Sequence, residues 1–154
     1  MSFTIRDEVL SMSKSATIYR RKGVLFIAAS HKTEAGFWIA DQETSVVEGG
    51  DESGIQKAVA AALVSSRSGV PTPAPDANLI GSLLSKAGVS SWSTFSKIAR
   101  CVDVHLKDGR IQVTPYRNMG GSEGFDPMTD NVLELPEGSP DLGKAVLAAF
   151  EVAE

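Results

Sequence analysis

The stretch CVDVHLKDGRIQVTPY, residues 101–116, decides the fold. Two strand-forming runs, 102–106 and 111–115, flank Asp108-Gly109, a pair that tolerates the positive φ angles of a type I′ turn, so the spacing predicts a two-residue β-hairpin. With that turn Leu106 faces Ile111, Val104 faces Val113 and Val102 faces Pro115, which makes one face of the hairpin apolar. The other face carries Cys101, Asp103, His105, Gln112, Thr114 and Tyr116 and reads as left for solvent or for a partner. Pro115 has no N–H to donate, which suits a strand end or a sheet edge.

Downstream, a loop over 117–125 leads to a predicted short strand at 131–135. Ser139-Pro140 then supplies a hydroxyl for a helix N-cap and a proline for the first helical position. Leu142, Ala145, Val146, Ala149 and Phe150 follow at i, i+3, i+4, i+7 and i+8, one apolar stripe of an α-helix that faces a core.

The same order occurs upstream. Ile55, Ala58, Val59, Ala62 and Leu63 each precede their counterparts by 87 positions, Lys57-Ala58-Val59 matches Lys144-Ala145-Val146, and Gly36-Phe37 matches Gly124-Phe125 at 88. A hairpin over 16–29, turning at Lys22-Gly23, comes before them. The pattern predicts a diverged internal duplication, about residues 16–66 and 100–153. The alternative is two amphipathic helices that share a common spacing by chance, and a solenoid would need more copies.

Between these segments, residues 3–5 suggest an edge strand and 36–40 a short strand whose Trp38 is either core or contact. Ser53-Gly54-Ile55-Gln56 matches a capping box for a helix to about Ser66, and the proline-rich 69–75 an extended connector. Asp76 suits the cap of a helix through Leu79, Ile80, Leu83 and Leu84, stopped by Gly88. Ser90 or Ser91 suits the cap of another with Trp92, Phe95 and Ile98. The expected architecture is α+β: one domain over 1–154, its antiparallel sheet built from two diverged hairpin-strand-helix copies and covered by helices on at least one face.

At 154 residues, 42% hydrophobic and 22% charged, the composition is that of an ordinary folded domain. Residues 1–30 lack the apolar segment of a signal peptide and no run reaches membrane-spanning length, so a cytoplasmic protein is expected. One cysteine, Cys101, excludes an intrachain disulfide and a cysteine-rich zinc site. The net charge of −4 is unevenly spread. Residues 33–56 hold six acids and no Lys or Arg, and so do residues 118–143; the remaining chain carries all 15 bases and 7 acids. Asp51, Glu52, Glu137 and Asp141 fall near predicted helix N-termini, where they complement the dipole. The other acids form a surface that disfavours nucleic acid and steers a basic partner.

No catalytic signature emerges. His31 and His105 have no metal-ligand spacing around them, so neither metal nor cofactor is expected. Cys101 and His105, four apart on a strand, lie about 13 Å from each other at ~3.3 Å per residue, too far for a nucleophilic pair. The glycine-rich run 120–124 lacks the lysine and hydroxyl of a phosphate loop, and its acid would repel a phosphate. A binding protein rather than an enzyme is the expectation.

Gly36-Phe37 with the acidic segment and the 55–63 helix, Ser90-Ser91-Trp92-Ser93-Thr94-Phe95, Ile111-Gln112-Val113-Thr114-Pro115, Gly124-Phe125 and Leu142-Gly143-Lys144-Ala145-Val146 follow in an order that resembles the immunity proteins of bacterial contact-dependent growth inhibition systems. The resemblance implies a cytosolic protein that blocks the C-terminal toxin domain of a cognate secreted effector, often a nuclease, without contacting nucleic acid or membrane, as a monomer or weak dimer. Nucleases that approach phosphates tend to be basic, and an acidic inhibitor surface competes for the same patch. The expected contact residues are Glu123, Asp126, Asp130 and Glu134, with Asp41, Glu43 and Glu48. Strand addition or docking on the polar face of the 102–116 hairpin is a second mode. The competing class is a small ligand-binding domain or enzyme with a pocket between the sheet and the two helices that separate the copies.

Overall fold

The hairpin turns fix the sheet. Lys22 and Asp108 both take φ 52°, and Gly23 and Gly109 both take φ 75°, so each expected two-residue turn forms with two left-handed residues. The computed structural model describes residues 13–154, and the expected strand at 3–5 lies outside them. In chain order the described elements are β1 (Lys14–Arg21), β2 (Val24–Thr33), β3 (Trp38–Ala40), β4 (Ser45–Glu48), α1 (Glu52–Ser65), β5 (Ser68–Val70), α2 (Gly81–Ala87), α3 (Trp92–Ser96), β6 (Arg100–Lys107), β7 (Arg110–Asn118), β8 (Phe125–Pro127), β9 (Leu133–Pro136) and α4 (Leu142–Val152).

The result is an α+β fold, a curled antiparallel half-barrel sheet with four helices among the described residues. The strand order is β3-β2-β1-β6-β7-β8, all antiparallel, with β4 also antiparallel on β2, β9 antiparallel on β7, and the short β5 parallel to β2. The β6–β7 register is the expected one: Leu106 opposite Ile111, Val104 opposite Val113, Val102 opposite Pro115. The two halves repeat one topology, a hairpin, a strand returning to its second arm, then a helix, and they meet through the antiparallel β1–β6 pair. The return is fastened alike in each half: Gly49 N donates to Gly23 O and Glu137 N to Gly109 O, both at 2.9 Å.

One face of the sheet packs on α1 and α4. Ile18, Leu25, Ile27, Val102, Val104 and Val113 meet Ile55 and Val59 of α1 and Val146 and Phe150 of α4 in one buried cluster. Fully burying each such side chain stabilises by about 1.5–3 kcal/mol. Both predicted stripes therefore face the same core. On the opposite face α2 and α3 cover a second cluster, with Phe26, Leu83, Phe95 and Ala99 buried and Tyr19, Trp92 and Phe125 around them.

Several local expectations give way. Asp51, not Ser53, caps α1, its carboxylate accepting from Gly54 N at 3.0 Å, because the chain turns there on leaving β4. Ser139 accepts from Asp141 N at 3.1 Å and shapes the approach, while α4 starts at Leu142 without a side-chain cap. Asp76 caps nothing: α2 begins at Gly81, although Gly88 ends it at φ 71° as expected. Ser91 does cap α3, but the helix stops at Ser96 and leaves Ile98 exposed. The strand expected at 131–135 begins at Leu133, after a 3-10 turn over Thr129–Asn131. Pro115 sits inside the sheet, at the point where the outer side of β7 passes from β9 (113) to β8 (116), so its missing N–H costs no ladder bond.

Candidate functional site

Alternation decides what each face of the sheet offers. On the face opposite α1 and α4, the registers align three rows across β2, β1, β6 and β7: Phe26, Tyr19, Cys101 and Tyr116; Ala28, Thr17, Asp103 and Thr114; Ser30, Ser15, His105 and Gln112. The first row is where the aromatic cluster grows. Tyr19 lies edge-on to Phe95 at 5.5 Å and to Trp92 at 5.6 Å, and Phe26 edge-on to Phe95 at 5.7 Å. The hairpin face expected to stand open is thus half covered: Cys101 is buried, and burial raises its thiol pKa. Burial also raises the Tyr19 hydroxyl and pushes Tyr116 up to about 12, with the nearby Asp103 charge adding to both.

The middle row holds a carboxylate. Asp103 Oδ1 accepts from Ser15 Oγ at 3.2 Å and Thr17 Oγ1 at 3.4 Å, and Thr17 Oγ1 is 3.1 Å from Ser30 Oγ. Desolvation raises the Asp103 pKa to about 6 against the opposing pull of the two hydroxyls. In the third row His105 meets Trp38 edge-on at 5.9 Å, and its pKa is lowered by partial burial and then by Lys107 and Lys32. Trp38, half-buried on the sheet edge, belongs to neither core cluster.

A cavity of about 340 Å³ opens over these rows between the sheet and α2. Thr17, Tyr19 and Ser30 floor it, and Trp38, Leu83 and Trp92 wall it. That is the place where a pocket between sheet and inserted helices was expected, and its size falls within the range of small-ligand sites. Among the described residues no three His, Cys, Asp or Glu side chains gather as a metal set. No helix there is long and apolar enough to cross a membrane.

The seven acids expected to form a contact surface fall into two groups. Asp41, Glu43 and Glu48 lie along the edge made by β3 and β4; Glu123, Asp126, Asp130 and Glu134 lie along the edge made by β8 and β9. Strands β2, β1, β6 and β7 separate the groups, roughly 24 Å along the curved sheet at ~4.8 Å per strand. Two of the acids are already engaged. Asp41 accepts from buried His31 Nε2 at 3.3 Å. His31 Nδ1 accepts from Arg67 N, which places the proton of the neutral ring on Nε2. Glu134 accepts from Gln112 Nε2 at 3.2 Å and Arg110 at 3.1 Å, and those bonds lower its pKa. Glu43, Glu48, Glu123, Asp126 and Asp130 are exposed. Asp103 is not among the expected contact residues, because its place in an alternating strand marks it as one more outward polar group.

Comparison with known proteins places this geometry. No curated protein sequence matches the chain. A protein of unknown function from Neisseria meningitidis has the same fold over 100% of both chains, with a TM-score of 0.77 and 19% identity. A chain of the CdiA-CT/CdiI toxin and immunity complex from Yersinia pseudotuberculosis is similar over 93% of this chain and 98% of that one, with a TM-score of 0.73 and 14% identity. The model of the CdiI family, CDI immunity protein, matches residues 49–153. With more than half of its length in that match, including α1, the β6–β7 hairpin and α4, the chain belongs to the CDI immunity protein family.

Proposed function

We propose that this chain is a cytoplasmic immunity protein that binds the CdiA-CT toxin domain of a cognate contact-dependent growth inhibition effector and neutralises it by covering its active or substrate-binding surface. The observation that carries the proposal is the family match over residues 49–153, supported by the shared fold with a chain of a toxin and immunity complex. The toxin is a nuclease on this reading, since an inhibitor with two base-free acidic windows suits a partner that must itself approach phosphates. Exposed acids of the β8–β9 edge, Glu123, Asp126 and Asp130 with Glu134, form the contact surface, joined by Asp41, Glu43 and Glu48 where the toxin spans the sheet. The repeated hairpin-strand-helix topology and the twin turns support a diverged duplication within one domain, residues 16–66 and 100–153. Co-expression of the chain with the toxin domain of its effector tests the function, with cell survival and co-purification as expected. Survival without a complex, or a complex without survival, contradicts it.

A second reading, a small-ligand-binding domain, has the cavity beside α2 in its favour. Unbiased ligand extraction from the purified chain distinguishes the two.

A further inference from the structure

Asp103 is charged, central and unclaimed. It stands in the middle row of the face opposite α1 and α4, between Thr17 on β1 and Thr114 on β7. Its Oδ1 takes both hydroxyl bonds, from Ser15 and Thr17, while Oδ2 has no hydrogen-bond partner among the described residues. None of their ion pairs involves it. The titratable groups around it are Tyr19, Cys101 and Tyr116 on one side and His105 on the other, none of them a fixed cation. Ser15 and Thr17 donate to the carboxylate and Ser30 can donate to Thr17 Oγ1, but neutral hydroxyls orient a charge without compensating it. A largely buried anion of this kind is costly unless a cation comes to it.

The approach is also built. Asp103 stands beside the 340 Å³ cavity rather than on its wall, next to Thr17 of the floor, which touches it; the carboxylate on the wall, Asp41, is already bonded to His31, and the rings of Trp38, Trp92 and Tyr19 line the cavity. A planar, weakly hydrated guanidinium suits such surroundings: it stacks on aromatic rings and pairs with a carboxylate through two N–H groups. A lysine ammonium, compact and strongly hydrated, loses more on leaving water.

We infer that the cavity and Asp103 together receive one arginine side chain of the toxin domain, its guanidinium on the Asp103 carboxylate. The inference deepens the proposed function and rests on it. It moves the anchor of the interface from the acidic sheet edges to the centre of the polar face. The edge acids then govern encounter and Asp103 governs residence.

The test uses the full chain and the toxin domain co-purified with it. Asp103→Asn keeps the shape and the hydroxyl contacts; it should weaken binding about 100-fold, mostly through faster dissociation. In the wild-type chain the Asp103 carboxyl, followed by 13C NMR, should titrate near 6 when free and below about 4 in the complex. Replacing the toxin's arginines singly by glutamine should find one whose loss adds nothing further against the Asp103→Asn chain. Wild-type affinity in Asp103→Asn, or an Asp103 titration unmoved by the toxin, overturns the inference and leaves the immunity function standing. Failure of the wild-type chain to bind overturns the function itself. The NMR arm needs no variant, so a misfolded substitution does not leave the question open.

Discussion

Gln56 on α1 holds the start of α4 through Gly143: its Oε1 accepts from Gly143 N at 2.6 Å, and its Nε2 donates to Ser139 O at 3.0 Å. The two residues are 87 positions apart, the same offset as the two apolar stripes, so equivalent points of the two helices meet. The approach leaves no room for a side chain. A Cβ on Gly143 would stand 2.5 Å from the Glu52 carbonyl oxygen and 3.1 Å from Gln56 N. Gly143→Ala should therefore push the helices apart and destabilise by about 2 kcal/mol, as overpacking does. Urea unfolding measures it, and a midpoint equal to wild type would mean that the helices separate without cost.

Gln56→Ala makes the complementary test. It leaves a first-turn N–H of α4 and the Ser139 carbonyl without their partner, at a cost of about 1–2 kcal/mol. Gln56→Glu should be worse than conservative, because a carboxylate retains the Gly143 bond but cannot donate to Ser139 O. Wild-type stability in Gln56→Glu would show that only the Gly143 bond matters, and equal stability of the two variants that only the Ser139 bond does.

What was legible in the sequence was what is local. Asp108-Gly109 sets its turn and register within a few residues, and the stripe from Leu142 to Phe150 needs only helical periodicity. The α1 cap was misplaced because Ser53 and Asp51 are equally good capping residues; the choice falls where β4 releases the chain, with Asp51 N bonded to Glu48 O. Pro115 looked like an edge residue because nothing nearby reveals that β9 and β8 share the outer side of β7. The two acidic windows are visible in the sequence, but their separation to opposite edges follows from β1 pairing with β6, across 80 residues or more. Asp103 was hidden for the same reason, since α2 and α3 reach its face from a segment that local alternation does not mention.

Asp103 gives stability a pH dependence whose sign is opposite to that of an ordinary paired carboxylate. In the unfolded chain it releases its proton near 3.8, and in the folded chain only near 6. Between those values the folded state binds more protons, so this group's contribution to stability is lost as pH rises from about 4 to 7. Allowing for its residual exposure, the loss is about 2 kcal/mol. Asp103→Asn should melt roughly 4–8 °C above wild type at pH 7.5 and converge with it at pH 4. A constant difference across that range would mean that the carboxylate's ionisation is not what the fold resists.

Phe95 ties α3 to the sheet. It is fully buried and touches Tyr19, Phe26 and Trp92, with the Arg21 guanidinium 6.0 Å above its ring. Phe95→Ala should cost about 3–5 kcal/mol. Both tryptophans line the neighbouring cavity, so their emission should shift red in this variant even where the fold survives. Unchanged emission together with unchanged stability would contradict the packing.

On the proposed contact surface, the two acidic edges should make separable contributions to toxin encounter. Glu123, Asp126 and Asp130 are exposed and occur in a window with no Lys or Arg, so reversing all three to lysine changes the local field by six charges without removing a buried contact. Steering of this kind acts on association and is screened within about 8 Å at physiological ionic strength. The triple variant should associate at least tenfold more slowly at low salt and lose most of its salt dependence, while its melting temperature stays within a few degrees of wild type. The matching reversal of Glu43 and Glu48 on the β3–β4 edge reports whether the toxin reaches across the sheet: a similar slowing places both edges under the toxin's field, and none confines the encounter to the β8–β9 side. If neither variant slows association, charge on the edges does not guide the toxin, and the acidic windows serve solubility alone.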